Sequence, residues 1–268
     1  MTSSLPITAK IGREIKRLFT PRPRITEADR AHLSKLQNSY PGKTCFVIGN
    51  GPSLTSQDLT AIKNKVSFAS NKIYLIYPQT DWRPTFYTVE DALVMKQCKT
   101  QITALNDSQK LMPLQMISEA GRTSDMTVFP IIAPQDWTTP LTDPEFPAFS
   151  SDLAQGIAWG STVVYTQIQL AAAMGFTTIC ILGLDHSYIE GRSLGNGVLI
   201  SDGERNHFHA DYRPKGEKWH SPNLHVLERS YARAQEEAKA CGIRIVNCSR
   251  HTELETFERT SLEDMLSR

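Results

Sequence analysis

The chain has 268 residues, with 29 Lys and Arg set against 28 Asp and Glu and a formal net charge of +1. That length suits one α/β domain whose core needs no disulfide support, and the even charge supplies no broad field for nucleic acid. Five cysteines, at 45, 98, 180, 241 and 248, form neither a CxxC pair nor a zinc spacing, so a reducing compartment is expected.

Residues 1–40 read as a basic, helical N-terminal extension, and 41–268 as the domain proper. Within the extension, Lys10 to Arg24 sets Ile11, Ile15, Leu18 and Phe19 on one helical side among Lys and Arg. Such a face either docks on protein or lies on an anionic membrane surface. No apolar run has the length of a membrane span, and the N-terminus lacks the apolar core and cleavage site of a signal peptide. The expectation is a cytoplasmic protein, with residues 10–24 docked on their own domain or on a partner as the first reading and peripheral contact at the inner face of the membrane as the alternative.

Glu27 to Leu36 reads as a helix and Tyr40-Pro41-Gly42 as the turn that delivers the chain into its first strand. Cys45 to Ile48 is a short run of apolar, β-branched and aromatic residues closed by Gly49-Asn50-Gly51-Pro52, the pattern of a buried strand ending in a tight loop. Asp58 to Ile62 reads as the helix after it. Strand, Gly-rich turn and helix in that order make the nucleotide-binding corner of an open α/β sheet. Gly49 and Gly51 are candidates for close backbone approach to a phosphate, and Asn50 and Ser53 for side-chain hydrogen bonds. The same residues also fit a plain turn with Ser53 as helix cap, and GNGPSL matches neither GxGxxG nor GxxxxGK[ST].

Val66 to Ala69 is a second strand, closed by Ser70-Asn71, and Ile73 to Tyr77 continue it or start a helix. Thr85 to Val89 is a third strand ending in Glu90-Asp91, with a helix over Ala92 to Cys98. A helix is predicted over Leu111 to Ala120 and a strand over Val128 to Ile132. The prolines at 134, 140, 144 and 147 mark an ordered loop from Pro134 to Asp152. Ser161 to Met174 reads as a helix capped by Ser161 or Thr162 and stopped by Gly175. Thr178 to Leu182 is a strand ending in Gly-Leu-Asp-His, followed by a loop of roughly thirty residues, a length that marks function or disorder. Leu224 to Ala240 is a long helix, Ile243 to Val246 a last strand, and a short helix starts at Ser261. Strands alternating with helices predict a Rossmann-like α/β fold: a mostly parallel sheet with helices on both faces, a single domain with a long functional loop.

In such sheets ligands bind beyond the carboxyl ends of the strands, which is where Asn50, Ser70, Asn71, Glu90, Asp91, Asp185 and His186 fall. Asparagines and serines suit the neutral edge of a base and ribose, and the helix start at Gly160-Ser161-Thr162 offers backbone donors to a phosphate. The long loop adds His207, His209, Asp211, Tyr212, Trp219 and His220. Histidine is the natural general base for an alcohol. His207 and His209 with Asp211 could suggest a metal site, but alternate residues in a loop do not converge without help, so no metal site is expected.

GNGPSL after the first strand, the Asn in ASNKIY, Gly-Ser-Thr opening a helix and GLD after a later strand resemble the bacterial sialyltransferases that use CMP-sialic acid. They also resemble the uncharacterised glycan-cluster and flagellin-glycosylation proteins related to these enzymes, and the archaeal 6-hydroxymethylpterin diphosphokinases with the same core. The likeness runs from about Lys43 to Phe257. It implies that Asn50 and Ser53 contact the nucleotide phosphate and ribose, Asn71 the base or ribose, and Ser161 and Thr162 the phosphate or donor sugar, with Asp185 closing the pocket. A His just before a long helix acts as base in the sialyltransferases, which makes His220 the first candidate, ahead of His209 and His207. The tyrosines that cradle the leaving phosphate are matched by Tyr188 and Tyr212, neither in register.

The resemblance implies a glycosyltransferase that moves a sugar, sialic-acid-like or related, from a CMP-activated donor to a glycan or lipid-linked glycan acceptor. It would need no cofactor beyond that co-substrate, and it could form a homo-oligomer. One alternative is pyrophosphoryl transfer from ATP to a pterin, with Mg²⁺ held by Glu90, Asp91 and Asp185. Another is a non-catalytic nucleotide-sugar or glycan-binding subunit.

Overall fold

The strand predicted at Cys45–Ile48 lies at the middle of an eight-stranded sheet. The computed structural model describes residues 23–134, 136, 142–189, 191–195 and 197–267. In chain order the first half runs α1 (Glu27–Leu36), β1 (Thr44–Ile48), α2 (Ser56–Ala61), β2 (Ser67–Ser70), β3 (Phe86–Thr88), α3 (Ala92–Gln97), α4 (Lys99–Ala104), β4 (Gln109–Pro113), α5 (Ile117–Ala120), β5 (Met126–Phe129) and β6 (Ile131–Ile132). The second half runs β7 (Ile157–Ala158), α6 (Val163–Ala173), β8 (Thr178–Leu182), β9 (Arg192–Gly195), β10 (Val198–Ile200), β11 (Lys218–His220), α7 (Leu224–Ala240), β12 (Arg244–Asn247), β13 (Glu258–Arg259) and α8 (Leu262–Leu266).

The sheet order is β13-β12-β8-β1-β2-β3-β4-β5, and each neighbouring pair is parallel. The chain walks outward from β1 to β5, then returns to lay β8 on the other flank of β1 and walks outward again. Strand order therefore reverses between β1 and β8. Loops leaving those two carboxyl ends turn to opposite faces and open a crevice. Alternation along β1 sorts the helices. Cys45 and Val47 pack with Leu33 of α1 and with apolar residues of α6 and α7, while Phe46 and Ile48 pack with Leu59 of α2, Met95 of α3 and Leu262 of α8. The predicted Rossmann-like α/β fold, with a mostly parallel sheet and helices on both faces, is the observed one.

Helix starts follow their capping residues. Thr26 and Asp29 form a capping box for α1, and Thr55 and Asp58 one for α2. Thr55, not Ser53, is thus the cap after the Gly-rich turn. Thr162 caps α6 and Asn223 caps α7. Asp29 also accepts from the Val128 N–H of β5 and from Arg122, which docks α1 on the sheet. The basic segment Lys10–Arg24 lies, apart from its last two residues, outside the described residues.

The predicted helix over Leu111–Ala120 is instead β4 followed by a 3-10 turn and the one-turn α5. Lys110 hides the strand, because its side chain is wholly buried and paired with Asp125 at 2.5 Å, so a charged residue stands where a core strand should read apolar. Pro130 divides the predicted strand Val128–Ile132 into β5 and β6. Ile73 opens a 3-10 helix that runs to Gln79. The long loop contains the antiparallel sheet β9-β10-β11, whose first strand is exposed throughout and so carries no alternating pattern. Among the described residues no helix is long and apolar enough to cross a membrane.

Candidate functional site

The carboxyl ends of β1, β2, β3 and β8 open onto a pocket of about 1100 Å³ that is lined on its far side by the start of α6 and by the flap that ends in β11, through Asn206, Arg213 and His220 among others. Backbone joins its two halves at the switch point. The Gly49 N–H donates to Leu182 O at 2.7 Å and the Gly51 N–H to Gly183 O at 2.8 Å. A Cβ on Gly49 would lie 2.3 Å from Gly183 O, and one on Gly51 would lie 2.7 Å from Asp185 Cγ. Both glycines are therefore required by the contact between the β1 and β8 turns, and both amides are spent inside the protein rather than free for a phosphate.

Ser53 does not line the pocket. Its N–H donates to Asp185 Oδ2 at 2.7 Å and its hydroxyl donates to Asp185 Oδ1. Asp185 lines the pocket, 3 % exposed. Burial raises its carboxyl above the ordinary range against the two Ser53 bonds. The pair fixes the mouth of the switch point, and Ser53 acts through Asp185.

Asn50 and Asn71 stand side by side at the ends of β1 and β2. Asn50 donates Nδ2–H to Ser70 Oγ at 3.1 Å, and its Oδ1 is buried without a partner among the described residues. Asn71 sits at φ +55°, a region that asparagine tolerates better than most residues, and its Oδ1 is likewise unpartnered. Two unsatisfied amide oxygens in one pocket wall call for donors from a ligand, such as an exocyclic amine or sugar hydroxyls. Across the pocket Ser161, at φ +62°, and Thr162 deliver the N-terminus of α6, where orphan N–H groups and the helix dipole favour an anion.

The three loop histidines separate. His220, on β11, lines the pocket with Nδ1 3.0 Å from Asp91 Oδ1 across 129 residues of sequence. Asp91 also caps α3 through the Leu93 N–H, so its position is set before the histidine reaches it. With Nδ1–H donated to Asp91, Nε2 is left as a proton acceptor. His207 lines the pocket stacked on Tyr212 at 3.8 Å, and burial, with Arg213 and Lys72 nearby, holds its pKa well below the usual range. His209 is outside the pocket, and its Nδ1 accepts from the Asp211 N–H at 3.1 Å as a cap of a 3-10 turn. Tyr212 is buried in the pocket wall, while Tyr188 lines the pocket 38 % exposed.

Sequence reasoning passes over Arg213, which carries no local signal between Tyr212 and Pro214. Its guanidinium lies 3.6 Å from the Trp219 ring and lines the pocket. Among the described residues it makes this ring contact and no ion pair, and burial lowers its pKa. His186 and Tyr231 also line the pocket, edge-to-face at 5.9 Å.

The three carboxylates that a Mg²⁺ site would need do not fit one. Asp185 is taken by Ser53, Asp91 by His220 and α3, and Glu90 accepts from Thr166 of α6 at 2.7 Å. Among the described residues no three His, Cys, Asp or Glu side chains group closely enough to share a metal ion.

A family model described as 6-hydroxymethylpterin diphosphokinase MptE-like matches residues 23–191. Among solved structures the chain is similar to the sialyltransferase CstII from Campylobacter jejuni in complex with cytidine-5'-monophosphate. That likeness has 15% identity and a TM-score of 0.47 over 82% of this chain and 86% of that one. The chain is also similar to a mammalian sialyltransferase in complex with Gal-beta-1-3GalNAc-ortho-nitrophenol, at 10% identity and a TM-score of 0.38 over 91% of this chain and 87% of that one. No curated protein matches the sequence.

Proposed function

The chain belongs to the 6-hydroxymethylpterin diphosphokinase MptE-like family, and we propose that it is a glycosyltransferase taking its sugar from a CMP-activated donor. The observation that carries this reading is the His220–Asp91 pair, which faces the same pocket as the unpaired guanidinium of Arg213 and the N-terminus of α6. A base and an anion site in one pocket are what transfer from a nucleoside monophosphate to an alcohol requires.

On this reading Asn50 and Asn71 take the cytosine and ribose, and Arg213 with Ser161 and Thr162 takes the phosphate. His220 Nε2 accepts the acceptor hydroxyl proton as that oxygen bonds to the anomeric carbon. The bond from the anomeric carbon to the phosphate oxygen breaks, and its electron pair leaves on CMP. Asp91 stabilises the resulting imidazolium. His207, buried and low in pKa, stays neutral and packs Tyr212 in the pocket wall. Asp185 is engaged by Ser53 and Asp91 by His220 and α3, and among the described residues no three His, Cys, Asp or Glu side chains group closely enough to share a metal ion, which favours this chemistry over pyrophosphoryl transfer with Mg²⁺. The acceptor is a cell-surface glycan or its lipid-linked precursor.

Titration calorimetry with CMP in EDTA, beside donor turnover, tests the proposal. We expect CMP to bind without metal, and H220A to keep that affinity while turnover falls by about 10²- to 10⁴-fold. Binding of ATP with Mg²⁺ and not of CMP would overturn the reading. An H220A protein with undiminished turnover would remove His220 from the mechanism.

A further inference from the structure

Glu90 is a pocket residue to which this mechanism gives no task. It follows β3 directly and lines the pocket beside Asp91. Its Oε2 accepts the Thr166 hydroxyl at 2.7 Å, while Oε1 is buried with no partner among the described residues. Its charged surroundings are one-sided. Asp91 is the charge that acts on it, α6 presents only the neutral Thr166 hydroxyl, His220 stands beyond Asp91, and Arg213 acts on Asp91.

A carboxylate held in that position would have one hydroxyl donor and a second carboxylate for a neighbour, which makes the neutral acid the favoured form. Burial above all, with Asp91 adding to it and Thr166 opposing, raises Glu90 to about 7. With Oε2 occupied by Thr166, the proton of the neutral acid sits on Oε1, a donor for which the described residues provide no acceptor. Glu90 itself lines the cavity, and the terminal torsion of Glu is broad.

We propose that Glu90 is a specificity-determining residue that gives a carboxylic O–H to an acceptor oxygen of the sugar in the bound donor. The assignment rests on the glycosyltransferase reading, since His220 marks the reacting centre and Glu90 lines the same pocket one residue from the aspartate that orients it.

The test uses H220A protein without acceptor, so that donor is not transferred and His220 does not titrate. Dissociation constants for CMP and for CMP-N-acetylneuraminic acid are measured between pH 5.5 and 8.5, with Glu90 and with E90Q. With Glu90 present, affinity for CMP-N-acetylneuraminic acid is expected to fall as pH rises through 7, approaching about tenfold per unit. With E90Q, whose amide keeps an N–H donor, it is expected to stay flat, while affinity for CMP matches between the two proteins at each pH.

A dissociation constant for CMP-N-acetylneuraminic acid that ignores both pH and E90Q, an affinity that rises with pH, or no binding of it where CMP binds overturns the role of Glu90. Absence of CMP binding overturns the glycosyltransferase reading, and this inference with it. Thermal melts check that E90Q folds. Because the folded pKa of Glu90 is raised, its contribution to stability is present below about 4.5 and lost as pH rises through 7. E90Q should therefore melt higher than the parent at pH 8.5, with no such gain at pH 4.5.

Discussion

Arg213 shows how much a single side chain depends on what is left unpaired around it. An arginine held by a carboxylate fork has its donors filled, whereas one stacked on Trp219 at 3.6 Å keeps the fork open for a planar or tetrahedral anion. R213A is expected to weaken CMP binding by roughly 10- to 100-fold, since hydrogen bonds to charged groups are worth about 1.5–3 kcal/mol. Cytidine, which has no phosphate, should bind R213A as it binds the parent, and R213K should recover only part of the loss. Calorimetry with the two ligands checks this, and an equal loss for both would assign Arg213 to the structure of the flap. Ser53 teaches the same lesson in reverse. In sequence it is a polar residue in a Gly-rich turn, and in the structure both its N–H and its hydroxyl are committed to Asp185.

At the scale of elements, the two turns after β1 and β8 behave as one unit. Gly49 and Gly51 are legible in sequence as a tight loop, but the reason for glycine at each is the opposite turn. A methyl group on Gly49 would meet Gly183 O at 2.3 Å, and one on Gly51 would meet Gly183 O at 2.8 Å. Backbone cannot swing aside as a side chain can, so G49A and G51A are each expected to cost about 1–3 kcal/mol, as overpacking does. Urea denaturation measures the loss, and G51A should also weaken CMP binding, because its new methyl reaches Asp185. A pair of variants as stable as the parent would mean that the two turns separate freely.

β4 marks the limit of reading elements from pattern. A lysine with no exposed side-chain surface is rare in a strand, and its partner Asp125 lies fifteen residues on, beyond any local window.

Across the whole molecule, residues 198–220 fold back from β8 over the pocket and are pinned at points far apart in sequence. Lys72 Nζ reaches both Glu217 carboxylate oxygens at 2.7 Å and Tyr212 O at 2.8 Å, the Phe208 N–H donates to Asn50 O at 3.1 Å, and the Gln97 amide donates to Lys218 O at 2.8 Å. Lys72 and Glu217 are both largely buried, and removing one partner of such a pair typically costs about 3–5 kcal/mol. K72M should therefore raise amide exchange across residues 198–220 while β1 and β8 stay protected, because the loss falls on the flap and not on the sheet. Hydrogen exchange read by mass spectrometry checks this. Uniform deprotection of the whole chain would show that flap and sheet open together.

By itself the sequence determined the parallel α/β core. Strands buried on both faces must be continuous apolar runs, as at Cys45–Ile48 and Ile179–Leu182, and the helices between them announce themselves by capping residues and period. It also determined which strand ends carry the polar residues, since such residues mostly stay out of a core of this kind. Only the tertiary structure decided which of them meet. The β1–β8 reversal brings Ser53 to Asp185, and the flap brings His220 to Asp91 and leaves His209 outside. Those contacts are set by strand order and chain return over a hundred residues or more, and the free energy that fixes them is the packing of the sheet and its helices, which no local stretch of sequence contains.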